Sequence, residues 1–184
     1  MKKIDIRLKP HEKERLNKMV GRNLEYIIHE PLLYTPTVFN YIEIKAADSD
    51  PIYLRSSIEV LDWYGSLEDV AVWSIINEPP VEYDPDKTIR VPINETIRSI
   101  DLIQENQQEF FGDEQEYDNF VTRGIIFNFD NSQLSIEKSI WFSESFIIER
   151  GTNLIDTYAP ISEFEDEFEP DYSGKCIRTI ETLF

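Results

Sequence analysis

The chain is poor in the residues that build disulfides, metal sites and phosphate-binding loops. Its 184 residues include one cysteine, Cys176, two histidines, His11 and His29, and six glycines. A single cysteine excludes an internal disulfide, and so few Cys and His residues, with no CxxC or HExxH motif, argue against a zinc centre. Neither GxGxxG nor GxxxxGK occurs, so no loop is built to cradle phosphate. We therefore expect no metal and no cofactor.

Long apolar runs are also missing. No run approaches the roughly 18 residues that a membrane-spanning helix needs. The start, MKKIDIRLKPHEKERL, is basic but has neither an apolar segment nor a small-residue cleavage site, so it does not resemble a secretion signal. With a single cysteine, these features favour a cytoplasmic protein.

Positive charge is scarce and unevenly placed. The formal net charge is −18, yet residues 1–22 hold eight basic and three acidic groups, so residues 23–184 carry −23. Such a surface repels phosphate backbones, which argues against nucleic-acid binding, and it attracts basic proteins. The acidity would alternatively serve only solubility. The basic start can pair with the acidic body of the same chain or of a second copy, which allows a homodimer.

Period-two alternation of apolar residues dominates from residue 37 to 151 and predicts strands that follow one another directly. We predict an α+β, β-rich fold of mainly antiparallel sheet. A helix is expected after Pro10, and residues 23–30 suit either a helix or a strand. The three- and four-residue steps of Cys176, Ile177 and Ile180 favour a short C-terminal helix, although a strand also fits.

The chain length predicts a single domain, residues 1–184. Residues 105–119, ENQQEFFGDEQEYDN, are almost wholly polar and acidic. They predict a loop or a solvated helix, and they are the best place for an internal boundary if the domain has one.

One short stretch resembles a catalytic motif. VWSIINEP, residues 72–79, resembles the fourth-strand motif of the glycoside hydrolase superfamily that includes cellulases and β-galactosidases. The resemblance implies Glu78 as the acid/base and Asn77 as a ligand of the sugar 2-hydroxyl. A second carboxylate is needed, and Glu144 is the candidate because it too follows an apolar strand. The motif covers eight residues, and a (β/α)8 barrel typically needs about 250 residues, so a strand that ends in a turn explains it as well.

The segment PISEFEDEFEPDYSG, residues 160–174, is the strongest interaction signal. Its aromatic residues step by four, Ser162 and Glu165 have capping-box spacing, and Pro170 ends the segment, which predicts a short helix. The helix either docks on the protein's own core or projects as an acidic, aromatic arm that binds a basic partner. The candidate binding residues are Glu163, Phe164, Asp166, Glu167, Phe168, Asp171 and Tyr172.

These observations predict a non-catalytic, cytoplasmic protein-binding module with an acidic surface. One form is an immunity-type or inhibitor-type protein that covers a basic partner. The alternative is a hydrolase of glycosidase type that uses Glu78 and Glu144 as a carboxylate pair. A weaker third option is an acidic mimic of nucleic acid, which requires carboxylates along one ridge.

Overall fold

The computed structural model describes residues 1–31, 37–81, 84–139, 144–166, 168 and 170–184. Strands make up 63% of the structure and helices 11%, which confirms the β-rich, mainly antiparallel prediction. The helices are α1 (Pro10–Asn17) and the single turn α2 (Ser162–Glu165). The strands are β1 (Lys2–Ile6), β2 (Asn23–Pro31), β3 (Thr37–Ala46), β4 (Ile52–Trp63), β5 (Ser66–Ile76), β6 (Ile89–Thr96), β7 (Ser99–Phe111), β8 (Glu114–Asn128), β9 (Gln133–Lys138), β10 (Phe146–Gly151) and β11 (Tyr172–Leu183). None of the helices in the described ranges is long and apolar enough to cross a membrane.

All eleven strands belong to one branched sheet. Its main path runs β11-β7-β8-β9-β10-β3-β2-β6. Two strands pair with two different strands along the same edge. The first part of β8 pairs with β1 and its last part with β9, and the first part of β3 pairs with β10 and its later part with β4. Because β5 pairs with β4, the β4–β5 hairpin extends away from the main path as a branch.

Strands from both halves of the sheet share one apolar core. Strands β2, β3 and β5 contribute Ile27, Ile42 and Ile75, and strands β8 and β9 contribute Phe127 and Ile136, all of them buried. Leu16 and Met19 join the same core from α1 and the turn that follows it. The core therefore depends on residues distant in the sequence, as expected for a fold built by long-range strand pairing.

No strand of the described ranges pairs with the second edge of β5, and side chains from elsewhere cover this edge. The Glu12 carboxylate accepts a hydrogen bond from the Ile75 amide at 2.9 Å, and Arg15 donates to the Ile75 carbonyl. Farther along, the buried Lys138 ammonium donates to the Ala71 carbonyl. Burial lowers the pKa of Lys138 to about 7. These groups satisfy an edge that would otherwise be open to pairing with another chain.

Several predicted elements need correction. Residues 105–119 are not a loop or a helix but the tip of the β7–β8 hairpin, with both strands in the same sheet. Residues 172–183 form strand β11 rather than a helix, and residues 23–31 form β2. The predicted N-terminal helix is present as α1, which begins at Pro10.

Candidate binding cleft beneath an acidic arm

Residues 152–171 join β10 to β11, and we call this segment the arm. It packs on the outer face of β7–β9, the face opposite the main core. Leu154 and Tyr158 pack there against Ile103 and Ile126. The Tyr158 hydroxyl lies 2.9 Å from the Ser135 hydroxyl, and a Cβ at Gly124 would overlap it. Glycine at this position therefore lets the arm lie directly on β8.

The second half of the arm is held by aromatic contacts. The ring centroids of Phe164 and Phe168 are 5.1 Å apart and lie 5.9 and 6.1 Å from that of Tyr64. Phe168 also lies over β11, where a Cβ at Gly174 would overlap its ring. Helix α2 is only one turn, shorter than the predicted helix that ends at Pro170. The two phenylalanines are half-buried and dock on the chain itself.

Tyr64 stands at the tip of the β4–β5 hairpin. Tyr64 and Gly65 both have positive φ, 52° and 85°, in the two-residue loop between Trp63 and Ser66. This backbone is typical of a type I′ turn, where Asn or Gly is usual and a tyrosine is strained. Asp62 holds the tip, because its Oδ1 accepts from the Gly65 amide at 3.1 Å and from the Tyr117 hydroxyl at 3.0 Å.

A cleft of about 480 Å³ opens between the hairpin tip, the arm and the β7–β8 hairpin. Its lining residues are Tyr64, Gly65, Ser66, Glu109, Glu116, Tyr117, Phe168 and Tyr172. Strand register places Glu109 between Tyr117 of β8 and Gly174 of β11. The Tyr64 and Tyr117 rings meet edge to face with centroids 5.5 Å apart. The hairpin tip, the arm and the β7–β8 hairpin thus meet at the cleft, where Glu109 lies between two of the strands.

Glu109 differs from the other buried glutamates. Its exposed fraction is 6%, and no described residue pairs with its carboxylate. Glu12 accepts backbone hydrogen bonds, Glu105 and Glu137 pair with arginines, and Glu43 accepts from a tyrosine hydroxyl. Burial, and after it the nearby Glu116 charge, raises the pKa of Glu109 above its usual range. An ionised carboxylate in this position lacks a counter-charge.

A buried polar layer continues from Glu109 along the outer face. Arg178 pairs with Glu105 at 2.6 Å, and Arg123 pairs with Glu137 at 2.8 Å. Gln107 donates to Glu105 at 2.9 Å. Asn119 is fully buried near Tyr64, and its amide makes no well-formed hydrogen bond to a described residue. The ion pairs and the Gln107 hydrogen bond hold the side chains of the outer face in place beneath the arm.

The residues predicted for binding divide into two groups. Glu163, Asp166 and Asp171 are exposed acids on the arm, whereas Phe164 and Phe168 are the half-buried anchors. Tyr172 is 40% exposed and lines the cleft. Glu167 lies outside the described residues.

Of the eight lining residues, the sequence predicted Phe168 and Tyr172 for binding but not the other six, Tyr64, Gly65, Ser66, Glu109, Glu116 and Tyr117. One signal was available for Tyr64. The Tyr64-Gly65 pair separates two period-two strands, a spacing typical of a two-residue hairpin turn. The acidic stretch of residues 105–119 had instead been assigned to a loop.

The carboxylate pair of the hydrolase alternative is not brought together by strand pairing. Glu78 is exposed just beyond β5, where Asn77 shares a surface depression with the β3–β4 turn at Asp48. Glu144 precedes Phe146, which pairs with Val38 at the opposite end of β3. That strand spans several residues at about 3.3 Å each. The register thus provides no shared cleft, and the alternative remains a prediction.

No family or metal site identifies the chain. Across the described ranges, no three His, Cys, Asp or Glu side chains cluster closely enough to hold a metal ion. Cys176 is buried in β11, and burial raises the pKa of its thiol to about 12, which keeps it protonated. Comparison with models of protein families, with characterised proteins and with solved structures finds no significant match to this chain.

Proposed function

We propose that the protein binds a basic protein partner through the acidic surface formed by the arm and the β7–β8 hairpin. An immunity-type or inhibitor-type role is the concrete form of this proposal. A single buried cysteine outside any disulfide suits the cytoplasm. The observation that carries the proposal is that the acids of this surface have no cationic partner among the described residues, whereas most basic groups are already engaged elsewhere.

The distribution of ion pairs supports this view. Lys2 pairs with Asp62, Lys13 with Glu181, and the other ion pairs also lie away from the arm tip. The basic N-terminal segment is thus engaged with the chain's own acids. The acids without an ion pair to a described residue include Glu109, Asp113, Glu114, Glu116, Glu163, Asp166 and Asp171.

The acids on this surface come from two segments that are joined. The Gly112 amide of the β7–β8 turn donates to the Asp171 carbonyl of the arm at 3.1 Å. The Phe111 and Tyr172 rings meet with centroids 5.1 Å apart beside this contact. Exposed aromatic rings are enriched in binding interfaces, and a surface that served solubility alone would not need them.

Charge reversal on the arm tests this function. The variant Glu163→Lys, Asp166→Lys, Asp171→Lys is compared with a control, Asp50→Lys, Glu59→Lys, Asp86→Lys, that reverses three exposed acids elsewhere. Binding to a panel of small basic enzymes with pI above about 9 is measured by calorimetry at low and high salt. We expect a salt-sensitive complex that the arm variant loses and the control retains. Equal loss in both variants, or no complex with any basic protein, would contradict the proposal.

A further inference from the structure

We infer that the cleft receives one lysine or arginine side chain of the basic partner, with the cation on Glu109 and the alkyl stem against the aromatic rings. The inference rests on the proposed function in one respect: it assigns the lysine or arginine side chain to the basic protein partner. The observation that carries it is a glutamate that is 6% exposed, lines the cleft and has no partner within the described part of the chain.

The first step concerns the charge. A buried ionised carboxylate is costly unless a cation or hydrogen-bond donors meet it. The two arginines of the polar layer already have carboxylate partners. Arg178 donates two hydrogen bonds to Glu105, and Arg123 donates two to Glu137. Glu116 adds a second negative charge on the rim of the cleft. No cation of the described residues meets Glu109, and a cation of the partner would supply that charge.

The second step concerns shape. Tyr64, Tyr117 and Phe168 surround the cleft with aromatic surface. Aromatic faces attract ammonium and guanidinium groups, and they also pack against the alkyl stems that carry them. A volume of about 480 Å³ has room for a single long side chain. A metal ion would find only two carboxylates and no histidine among the lining residues.

The third step concerns rigidity. Tyr117 is fixed by its hydrogen bond to Asp62, and Asp62 is neutralised by Lys2. Phe168 is seated on Gly174. Since the walls are held before any ligand enters, little side-chain freedom is lost on binding, which favours recognition of a single residue.

The test is an NMR titration of the full chain with five-residue glycine peptides, acetylated and amidated at their ends, that carry a central lysine, arginine or norleucine. We expect shifts at the amides of Gly65, Glu109 and Tyr117 with the lysine or arginine peptide and none with norleucine. Glu109→Gln should weaken this binding about tenfold because the charge-assisted contact is lost. Glu59→Gln, an exposed acid of β4 that lies outside the acidic surface and does not line the cleft, should bind as the wild type does.

The outcomes separate this inference from the proposed function. Shifts confined to Glu163 and Asp166 on the arm, unchanged by Glu109→Gln, would overturn the cleft assignment and leave the acidic binding surface standing. Shifts in the cleft together with failure of every basic protein to bind would support the cleft and remove the proposed function. An absence of shifts with both cationic peptides overturns the inference.

Discussion

The two faces of strands β7–β9 are both buried, but only the outer face adds buried ion pairs to its apolar contacts. The inner face presents Leu102, Phe127 and Ile136 to the main core. The outer face presents Glu105 and Glu137, which meet arginines beneath the arm. Apolar burial stabilises without regard to direction, whereas buried ion pairs roughly offset their own desolvation and instead fix geometry. The inner face therefore contributes most of the stability, and the outer face shapes the candidate cleft.

A β-bulge makes this division possible. The register of β7 and β8 shifts between Ile103 and Gln104, so that both Arg123 and Gly124 lie opposite one position. Arg123 thereby reaches Glu137 on the outer face, although Ile125, two residues later, lies in the main core. Bulges commonly re-aim a side chain in this way.

The largest expected effect is on the inner face. Phe127→Ala removes a fully buried ring and should lower the free energy of unfolding by about 3–5 kcal/mol. Chemical denaturation measures the change, with Phe111→Ala, a ring that is 48% exposed, as the control. A similar loss in both variants would mean that the inner face does not dominate stability.

On the outer face, Glu137→Ala leaves the Arg123 guanidinium buried beside an empty position. We expect a loss of about 3 kcal/mol in the free energy of unfolding. The double variant Arg123→Met, Glu137→Leu should recover most of it, because the apolar pair needs no desolvation. Asp130→Ala, which breaks the exposed pair with Arg98, should cause no measurable change. No recovery in the double variant would show that the ion pair itself is a major source of stability.

Gly124→Ala places a methyl group where the Tyr158 hydroxyl lies. The arm must shift, and we expect a loss of about 1–3 kcal/mol with faster proteolysis between residues 152 and 171. Gly174→Ala should have a smaller effect, since it displaces the half-buried Phe168. Unchanged proteolysis in Gly124→Ala would contradict the docking of the arm on β8.

Tyr64→Asn should change stability least. Asparagine relieves the left-handed backbone of the turn, while loss of the ring removes contacts with Tyr117, Phe164 and Phe168. Relief of the backbone should regain about 1–3 kcal/mol, and loss of the ring should cost a comparable amount through its aromatic contacts and buried area, so the melting temperature should hardly change. The lysine peptide should nevertheless bind more weakly. A large drop in melting temperature would assign Tyr64 to the core instead.

The sequence predicted the strands with one apolar face, but it did not predict the parts of β7 and β8 that have no apolar face. Period-two alternation located β3, β4 and β5 correctly. The outer halves of β7 and β8 carry polar residues on both faces, such as Gln104 and Glu105, and so leave no alternating pattern. Long-range pairing rather than local pattern makes them strands.

The sequence left β11 open between a short helix and a strand for a different reason. Ile177, Ile180 and Leu183 step by three, which imitates one helix face. In the strand, Ile177 and Ile180 lie on opposite faces and remain 41% and 53% exposed. The cleft was equally hidden, because Tyr64, Glu109 and Phe168 meet only after the β4–β5 hairpin and the arm have packed on the sheet.

The most direct test of this account is the free energy of unfolding of Glu109→Gln and the wild type between pH 4.5 and 7. The pKa of Glu109 is raised in the folded state, so the folded protein binds this proton more tightly than the unfolded chain does. Stability is therefore lost as pH rises from 4.5, the ordinary glutamate value, through the raised pKa of the folded state.

At pH 7 the variant should be more stable by up to about 1 kcal/mol, because solvent access to the cleft limits the cost of burying the charge. The difference should vanish towards pH 4.5. A variant that is less stable than the wild type at pH 7 would mean that the Glu109 carboxylate already has a stabilising partner in the folded chain. The proposal that the cleft binds a cation would then be wrong.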